Sequence, residues 1–257
     1  MFSATSIYGL IGYPLGHSFS QRYFAEKFER EGIDAQYLNF ELNDISQISD
    51  VIAIPELRGF NVTIPYKQKI IPLLDSISPM ARKAGAVNVV KVVDMPDGTR
   101  RLYGFNSDCG GFLSDIVPML TPDHTKALIL GHGGAAQAVR VALDSINIHS
   151  TYVTRRQLPD SILFSELTHG LVNDHKVIIQ CTPLGMYPNI DSCPPIPYEA
   201  IGSRHLCYDV VYNPAPTEFL KRCAVRGAAV RDGAGMLIAQ AELAWNIWND
   251  TRITTKV

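Results

Sequence analysis

The stretch Lys126-Ala-Leu-Ile-Leu130, running straight into Gly131-His132-Gly133-Gly134-Ala135-Ala136, decides the fold. An apolar strand, a glycine turn and the start of a helical pattern, in that order, form the arrangement that cradles a dinucleotide pyrophosphate. Gly131 permits the tight turn and Gly133 lets the backbone approach a phosphate. Ala136 fills the third position, where helix and strand pack closely. The free N–H groups and positive dipole end of the helix complete an anion site. The motif starts mid-chain, which leaves a whole preceding segment to hold a substrate.

Downstream, the pattern predicts a helix over Ala135–Ser145 and a strand over Ser150–Thr154. Short apolar strands follow at Val177–Gln180, Leu206–Val211 and Ala228–Arg231, and a closing helix runs from Met236 to Asn249. Strands and helices alternating at this length imply a doubly wound parallel sheet of Rossmann type with helices on both faces. Upstream, strands are expected at Ile7–Ile11, Tyr37–Glu41 and Gly59–Ile64, with Phe60, Val62 and Ile64 on one face of the last. A helix over Arg22–Arg30 stops at Gly32. Lys67 to Leu74 starts as helix and meets Pro72. Ala86–Val93 and Arg101–Asn106 flank Pro96-Asp-Gly98 and read as a hairpin. A short helix over Gly111–Leu120 follows, and the glycine-containing joint at Asp108–Gly111 suits a hinge. The expected organisation is an α/β protein of two domains. Residues 1–108, completed by 235–257, form a substrate-binding and catalytic α/β domain, and residues 109–234 form a dinucleotide-binding domain.

The bulk properties fit that picture. A chain of 257 residues suits two moderate domains, and 46% hydrophobic with 19% charged residues describes an ordinary globular protein. A net charge of −2 argues against a nucleic-acid or anionic-membrane partner. The five cysteines are odd in number and contain no C-x-x-C, which favours reduced thiols and a cytoplasmic location. The seven histidines lack H-x-x-x-H spacing, so no metal is expected. The N-terminus reads neither as a signal peptide nor as a membrane span.

The cofactor can be read from the end of the second strand of the dinucleotide domain. An acid about 20 positions after the first glycine normally receives the ribose 2′-hydroxyl. Here that place reads Thr154-Arg155-Arg156, and the first acid is Asp160. Two guanidiniums suit a 2′-phosphate, because the planar fork donates paired charge-assisted hydrogen bonds. NADP(H) is therefore expected over NAD(H), the alternative being a solvated arginine pair.

Polar residues interrupt apolar patterns at several places. Asn61 and Thr63 share a strand face, and Lys67 follows just past Pro65. Asn88 sits in a valine-rich strand roughly opposite Asn106, with Asp108 just beyond. Gln240 lies on the stripe formed by Leu237, Ala241, Ala244 and Trp248. Ser18 and Ser20 can cap the following helix and bind a ligand through different lone pairs. Each reads equally as a satisfied structural polar group. Their number favours a polyhydroxylated ligand.

The segments Gly12-Tyr-Pro-Leu-Gly-His-Ser-Phe-Ser20, Gly59-Phe-Asn-Val-Thr-Ile-Pro-Tyr-Lys67, Gly85-Ala-Val-Asn88 and Gly104-Phe-Asn-Ser-Asp108 resemble those of the shikimate dehydrogenases. So do the glycine loop, Tyr208-Asp-Val-Val-Tyr-Asn-Pro214 and Asp232-Gly-Ala-Gly-Met-Leu-Ile-Ala-Gln240, so the resemblance spans essentially the whole chain. It implies NADPH-dependent reduction of 3-dehydroshikimate to shikimate, a step of aromatic amino-acid biosynthesis by way of chorismate. It further implies Ser18, Ser20, Thr63, Asn88, Asp108, Tyr212 and Gln240 as substrate contacts, and Lys67 with Asp108 as the catalytic pair. Gly131, His132, Gly133, Gly134, Ala135, Thr154, Arg155, Arg156, Val210 and Gly233 would face the cofactor. The closing helix would return to the first domain, and the site would lie in a cleft between the domains. Two departures stand out: Gln21 where the family usually has proline, and Arg156 where it often has threonine. Competing readings are a quinate/shikimate dehydrogenase using both NAD and NADP, an NADP(H)-binding sensor, and an amino-acid or tetrahydrofolate dehydrogenase of the same two-domain plan. A monomer or homodimer is expected.

Overall fold

Alternation in Ser6-Ile-Tyr-Gly-Leu-Ile-Gly12 sends Tyr8 and Leu10 to one face of a strand and Ile7 and Ile11 to the other. That strand organises the first half of the chain. The computed structural model describes residues 5–16 and 18–251, so residues 1–4, His17 of the first motif and residues 252–257 lie outside the described residues. The chain divides into two compact units: Met1–Ser107 with Ala241–Val257, and Asp108–Gln240.

The first unit comprises β1 (Ser6–Gly12), α1 (Phe19–Glu31), β2 (Ala35–Glu41), α2 (Ile48–Ile52), β3 (Leu57–Val62), β4 (Ser76–Ile77), α3 (Pro79–Ala84), β5 (Val89–Asp94) and β6 (Arg100–Phe105). Its sheet runs β2-β1-β3-β5-β6-β4. β1 pairs parallel with β2 and β3, whereas β3–β5 and the hairpin β5–β6 are antiparallel. Ser18 caps α1, and Gly32 closes it in the left-handed region at φ 63°. One face of the sheet packs Ile11, Phe60, Val62, Val90 and Val92 against Ile48, Val51 and Ala81. The other gathers Tyr8, Phe24, Phe28 and Tyr37 with Ala241, Ala244 and Trp248 of the closing helix. Trp248 donates Nε1–H to the Val90 carbonyl at 3.0 Å. A Cβ on Gly59 would fall 2.3 Å from the Trp248 ring, so only glycine lets the indole lie on β3. Truncating such a buried indole costs about 3–5 kcal/mol.

The second unit holds α4 (Ser107–Ile116, from its second residue), β7 (Lys126–Leu130), α5 (Gly134–Ser145), β8 (His149–Thr154), β9 (Ser161–Leu163), α6 (His169–Asp174), β10 (Val177–Gln180), β11 (Leu206–Asp209), α7 (Glu218–Val225), β12 (Ala229–Arg231) and the start of α8 (Ala234–Asn249). Its sheet order is β12-β11-β10-β7-β8-β9, with every pair parallel. Counted from β7 as the first strand, this is the doubly wound order 3-2-1-4-5-6, and strand order reverses beside β7. The glycine turn thus leaves the sheet at the switch point, where such folds bind ligands.

Several local expectations are corrected. β3 ends at Val62, and Ile64 is 74% exposed instead of sharing a face with Phe60 and Val62. Ile64 precedes Pro65, which restricts its backbone and removes the next ladder donor. Residues 67–70 form turns, and only a 3-10 turn follows at Ile71–Leu73, because Pro72 blocks an α-helix there. Ala86 to Asn88 precede β5 instead of belonging to it. Asp108–Gly111 is helical, lying within α4, and the boundary between the units falls inside that helix, after Ser107. The strands expected to end at Val211 and to start at Ala228 end at Asp209 and start at Ala229. α2, β4, α3, β9, α6 and α7 are additional short elements.

Candidate active site

In the first unit, two backbone bonds stitch the segment after β3 to the one before β5. Val62 N–H donates to the Asn88 carbonyl at 2.9 Å, and Val87 N–H donates to the Lys67 carbonyl at 2.8 Å. Lys67, on a turn and partly buried, is thereby held one residue away from Asn88. Thr63 sits at the end of β3, its N–H donating to the Ile11 carbonyl at 2.9 Å. Asn88 is buried, 3% exposed. Its Nδ2 donates to Ser107 Oγ at 3.0 Å, and its Oδ1 accepts the Ser107 N–H at 2.7 Å. Asn106 is buried too, donating Nδ2–H to the Ala86 carbonyl at 3.0 Å.

The polar chain continues across the sheet. Asn61 Nδ2 donates to the Asn88 carbonyl at 3.2 Å, and Asn61 Oδ1 accepts the Tyr37 hydroxyl at 2.8 Å. Tyr37 is hydrogen-bonded in turn to the Ser20 hydroxyl, and burial raises its own pKa far above the usual phenol range. Ser18 accepts the Gln21 N–H at 3.4 Å as the cap of α1, while Ser20 lies inside that helix. Ser20 and Asn88 are therefore linked through Tyr37 and Asn61. Sequence reasoning flagged Asn61 without a role and missed Tyr37, whose position in an apolar strand gave no signal beyond its hydroxyl.

In the second unit, Asp108 occupies the first turn of α4. Gln240, partly buried on α8, donates Nε2–H to the Leu237 carbonyl at 2.9 Å. Tyr212 is exposed, 43%, in the loop after β11. Asp209 at the end of that strand is fully buried and accepts from Val211 N–H at 2.9 Å and Thr217 Oγ1–H at 2.6 Å. It fixes the turn that carries Val210 and Tyr212, and burial pushes its carboxyl up to about 7. Gln180, completely buried, accepts the Thr182 N–H at 2.8 Å and donates to the Leu184 carbonyl at 2.9 Å. Both escaped the sequence reading, although each is a polar residue closing an apolar strand.

The glycine turn leaves the N-terminus of a helix open. Gly131 adopts φ 108°, a conformation suited to glycine, and its N–H donates to the Val153 carbonyl at 2.8 Å. Gly133 is the N-cap of α5 with no side chain capping it, and a Cβ on Gly133 or Gly134 would meet nothing within 4 Å. The helix N-terminus is thus open, and Ala136 behind it is fully buried. His132 is exposed, its ring 4.6 Å from that of Tyr152. Ala135 lies in the first turn of the helix. A Cβ on Gly233 would fall 2.3 Å from the Val210 carbonyl oxygen, so these two segments touch backbone to backbone. Thr154, at the end of β8, donates its hydroxyl to the Arg156 carbonyl at 2.7 Å and so shapes the following turn. Arg155 and Arg156 extend from that turn, exposed and without an ion-pair partner among the described residues. The open N-terminus of α5 could hold a dinucleotide pyrophosphate, and the exposed guanidiniums after β8 could hold a 2′-phosphate. Among the described residues no His/Cys/Asp/Glu group of metal-binding size occurs, and no helix is long and apolar enough to cross a membrane.

A family profile described as the shikimate dehydrogenase substrate binding domain matches residues 10–90. A shikimate dehydrogenase (NADP(+)) of Desulforamulus reducens is 33% identical over 266 residues, 95% of this chain and 90% of the relative. The structure of shikimate 5-dehydrogenase from Thermus thermophilus in complex with NADP(H) and shikimate superposes with a TM-score of 0.81 at 28% identity, covering 95% of this chain and 93% of that one. A ligand-free 5-ketofructose reductase of Gluconobacter superposes with a TM-score of 0.85 at 28% identity, over 97% and 94%.

Proposed function

The chain belongs to the shikimate dehydrogenase family, and on that premise we propose that it reduces 3-dehydroshikimate to shikimate with NADPH, Lys67 acting as acid/base with Asp108. The observation that supports this reading is the main-chain stitching of the Lys67 turn to the segment that carries the buried, hydrogen-bonded amide of Asn88. NADPH, when bound, supplies the hydride. As negative charge develops on the carbonyl oxygen of the substrate, the Lys67 ammonium hydrogen-bonds that oxygen and passes it a proton. In the reverse direction the neutral amine accepts the proton. Asp108 accepts a substrate hydroxyl and orients the lysine. Ser18, Ser20, Thr63, Asn88, Tyr212 and Gln240 bind the remaining polar groups of a ligand that needs many neutral donors and acceptors.

The cofactor would lie on Gly131, His132, Gly133, Gly134 and Ala135, with Val210 and Gly233 beside it and Thr154, Arg155 and Arg156 at the 2′-phosphate. Residues 1–108 with 235–257 serve the substrate, and 109–234 serve the cofactor. The reading includes a cytoplasmic enzyme working as a monomer or homodimer without nucleic acid. Among the described residues Cys109, Cys181, Cys193, Cys207 and Cys223 form no disulfide, in keeping with a reducing compartment.

The test is initial rates with 3-dehydroshikimate and with 5-ketofructose under NADPH, and with shikimate and quinate under NADP+ and NAD+. The reading expects the highest kcat/KM for 3-dehydroshikimate and shikimate with the phosphorylated cofactor. Dominant turnover of quinate or 5-ketofructose would replace the substrate, and NADPH binding without any turnover would make the chain a sensor.

A further inference from the structure

Asp108 and Asp115 stand seven residues apart on α4, two turns along one face, with Phe112 between them. Asp115 is buried and its carboxylate is fully engaged. Arg231 donates Nε–H to Oδ1 at 3.0 Å and to Oδ2 at 3.2 Å, and adds Nη2 to Oδ1. Tyr208 donates its hydroxyl to Oδ2 at 2.7 Å. The Tyr208 ring meets Phe112 edge-on, centroids 5.1 Å apart. One carboxylate thus ties α4 to both β11 and β12.

Two glycines then seat α4 against α8. A Cβ on Gly235 would fall 2.0 Å from Asp115 Oδ1. A Cβ on Gly111 would fall 2.9 Å from Gln240 Cβ and from the Met236 carbonyl oxygen. Gly111 lies between the two aspartates, and Gln240 lies on the partner helix directly opposite it. Apolar contacts alone would hold these helices together while leaving their rotation and sliding loosely defined. A bidentate guanidinium from β12 and a phenol from β11 on one carboxylate fix α4 on the strands, because each bond has a direction, and α8 starts three residues after Arg231. The Arg231 side chain is nearly half-exposed, so the pair adds little net stability, and its directional bonds can serve as a register device.

We propose that Asp115 is a positioning residue. Through Arg231, Tyr208 and Gly235 it sets α4 on α8, and so sets where Asp108 presents its carboxylate relative to Gln240. The inference rests on the reading that Asp108 touches the substrate.

The test is a double-mutant cycle in the full chain. Asp115→Asn keeps the shape and loses the charge that holds Arg231. It is made in the wild-type background and in Asp108→Asn, and 3-dehydroshikimate kcat/KM and NADPH Kd are measured for each. In the wild-type background, kcat/KM falls about 10–100-fold, since a displacement near 1 Å at a reacting group costs about 100-fold. NADPH Kd stays within about twofold. In the Asp108→Asn background the same substitution costs less than about threefold, because residues acting through one another are not additive. Tyr208→Phe preserves the ring packing on Phe112 and gives a smaller loss with the same pattern, which carries the test if Asp115→Asn does not fold. Equal losses in both backgrounds, or a loss that appears in NADPH Kd, would make Asp115 merely structural and overturn the proposal. Full turnover by Asp108→Asn alone would instead overturn the site reading, and this inference with it.

Discussion

The carbonyl of Lys67 accepts the N–H of Val87 at 2.8 Å, which pins the turn carrying the lysine to the strand entry carrying Asn88. The bond is made by the main chain, so it survives any change of the Lys67 side chain. Lys67→Ala is therefore expected to fold with a Tm close to that of the wild type. Its kcat falls about 100–10,000-fold, the usual contribution of a positioned proton donor. KM for 3-dehydroshikimate changes only a few-fold, because the other polar contacts remain. Steady-state kinetics decide it, and an unchanged kcat rejects the acid/base role.

Asn61 joins the Tyr37 hydroxyl to the Asn88 carbonyl inside the first unit. Asn61→Ala strands a buried phenol, and the cost is about 1–3 kcal/mol. Tyr37→Phe leaves the buried Asn61 Oδ1 without its donor, and its cost is likewise about 1–3 kcal/mol. The double variant costs less than the sum, because removing both partners of a bond is cheaper than removing one. Urea unfolding midpoints of the four proteins test this, and strict additivity would show that the bond contributes nothing.

The contrast between Gly131 and Gly111 shows what was legible in the sequence. Gly131 works through its own backbone, at φ 108° between a strand and a helix, and its neighbours in sequence were enough to identify it. Asp108–Gly111 reads locally as a hinge-like joint, yet the whole segment is helical, and Gln240, far away in sequence, lies close against Gly111. Asn88 was recognisable as an amide in an apolar run, but its partner Ser107 was not, since serine before a helix is ordinary. The short helices α2, α6 and α7 carry too few turns for periodicity to register. Ile64 broke an alternation that local reading extended one pair too far. What escaped was set by tertiary contact rather than by local propensity.

Arg155 and Arg156 leave the turn that Thr154 shapes, with their guanidiniums in solvent. Replacing both by glutamine keeps polar stems and removes the charge. KM for NADP(H) is expected to rise about 10–100-fold, the loss of one charge-assisted bond of about 1.5–3 kcal/mol in all. KM for NAD(H) stays within about twofold, since that cofactor has no 2′-phosphate. Parallel kinetics with the two cofactors measure the ratio, and an unchanged ratio would place the 2′-phosphate elsewhere.

Asp209 is buried beneath the turn that holds Val210 and Tyr212, and burial raises its carboxyl to about 7. In the unfolded chain the same group titrates near the ordinary 3.8. Between those two values the folded protein holds more protons than the unfolded one, so the contribution of Asp209 is full below the unfolded pKa and is lost as pH rises through about 7. Asparagine is a close neutral mimic of the protonated acid: its carbonyl can still accept Val211 N–H and its amide can face Thr217. Asp209→Asn therefore gains stability relative to wild type as pH is raised from about 5 to about 8. Melting curves of the two proteins across that range measure the gap in Tm. A gap that does not change with pH would mean that Asp209 titrates at its ordinary value despite its burial.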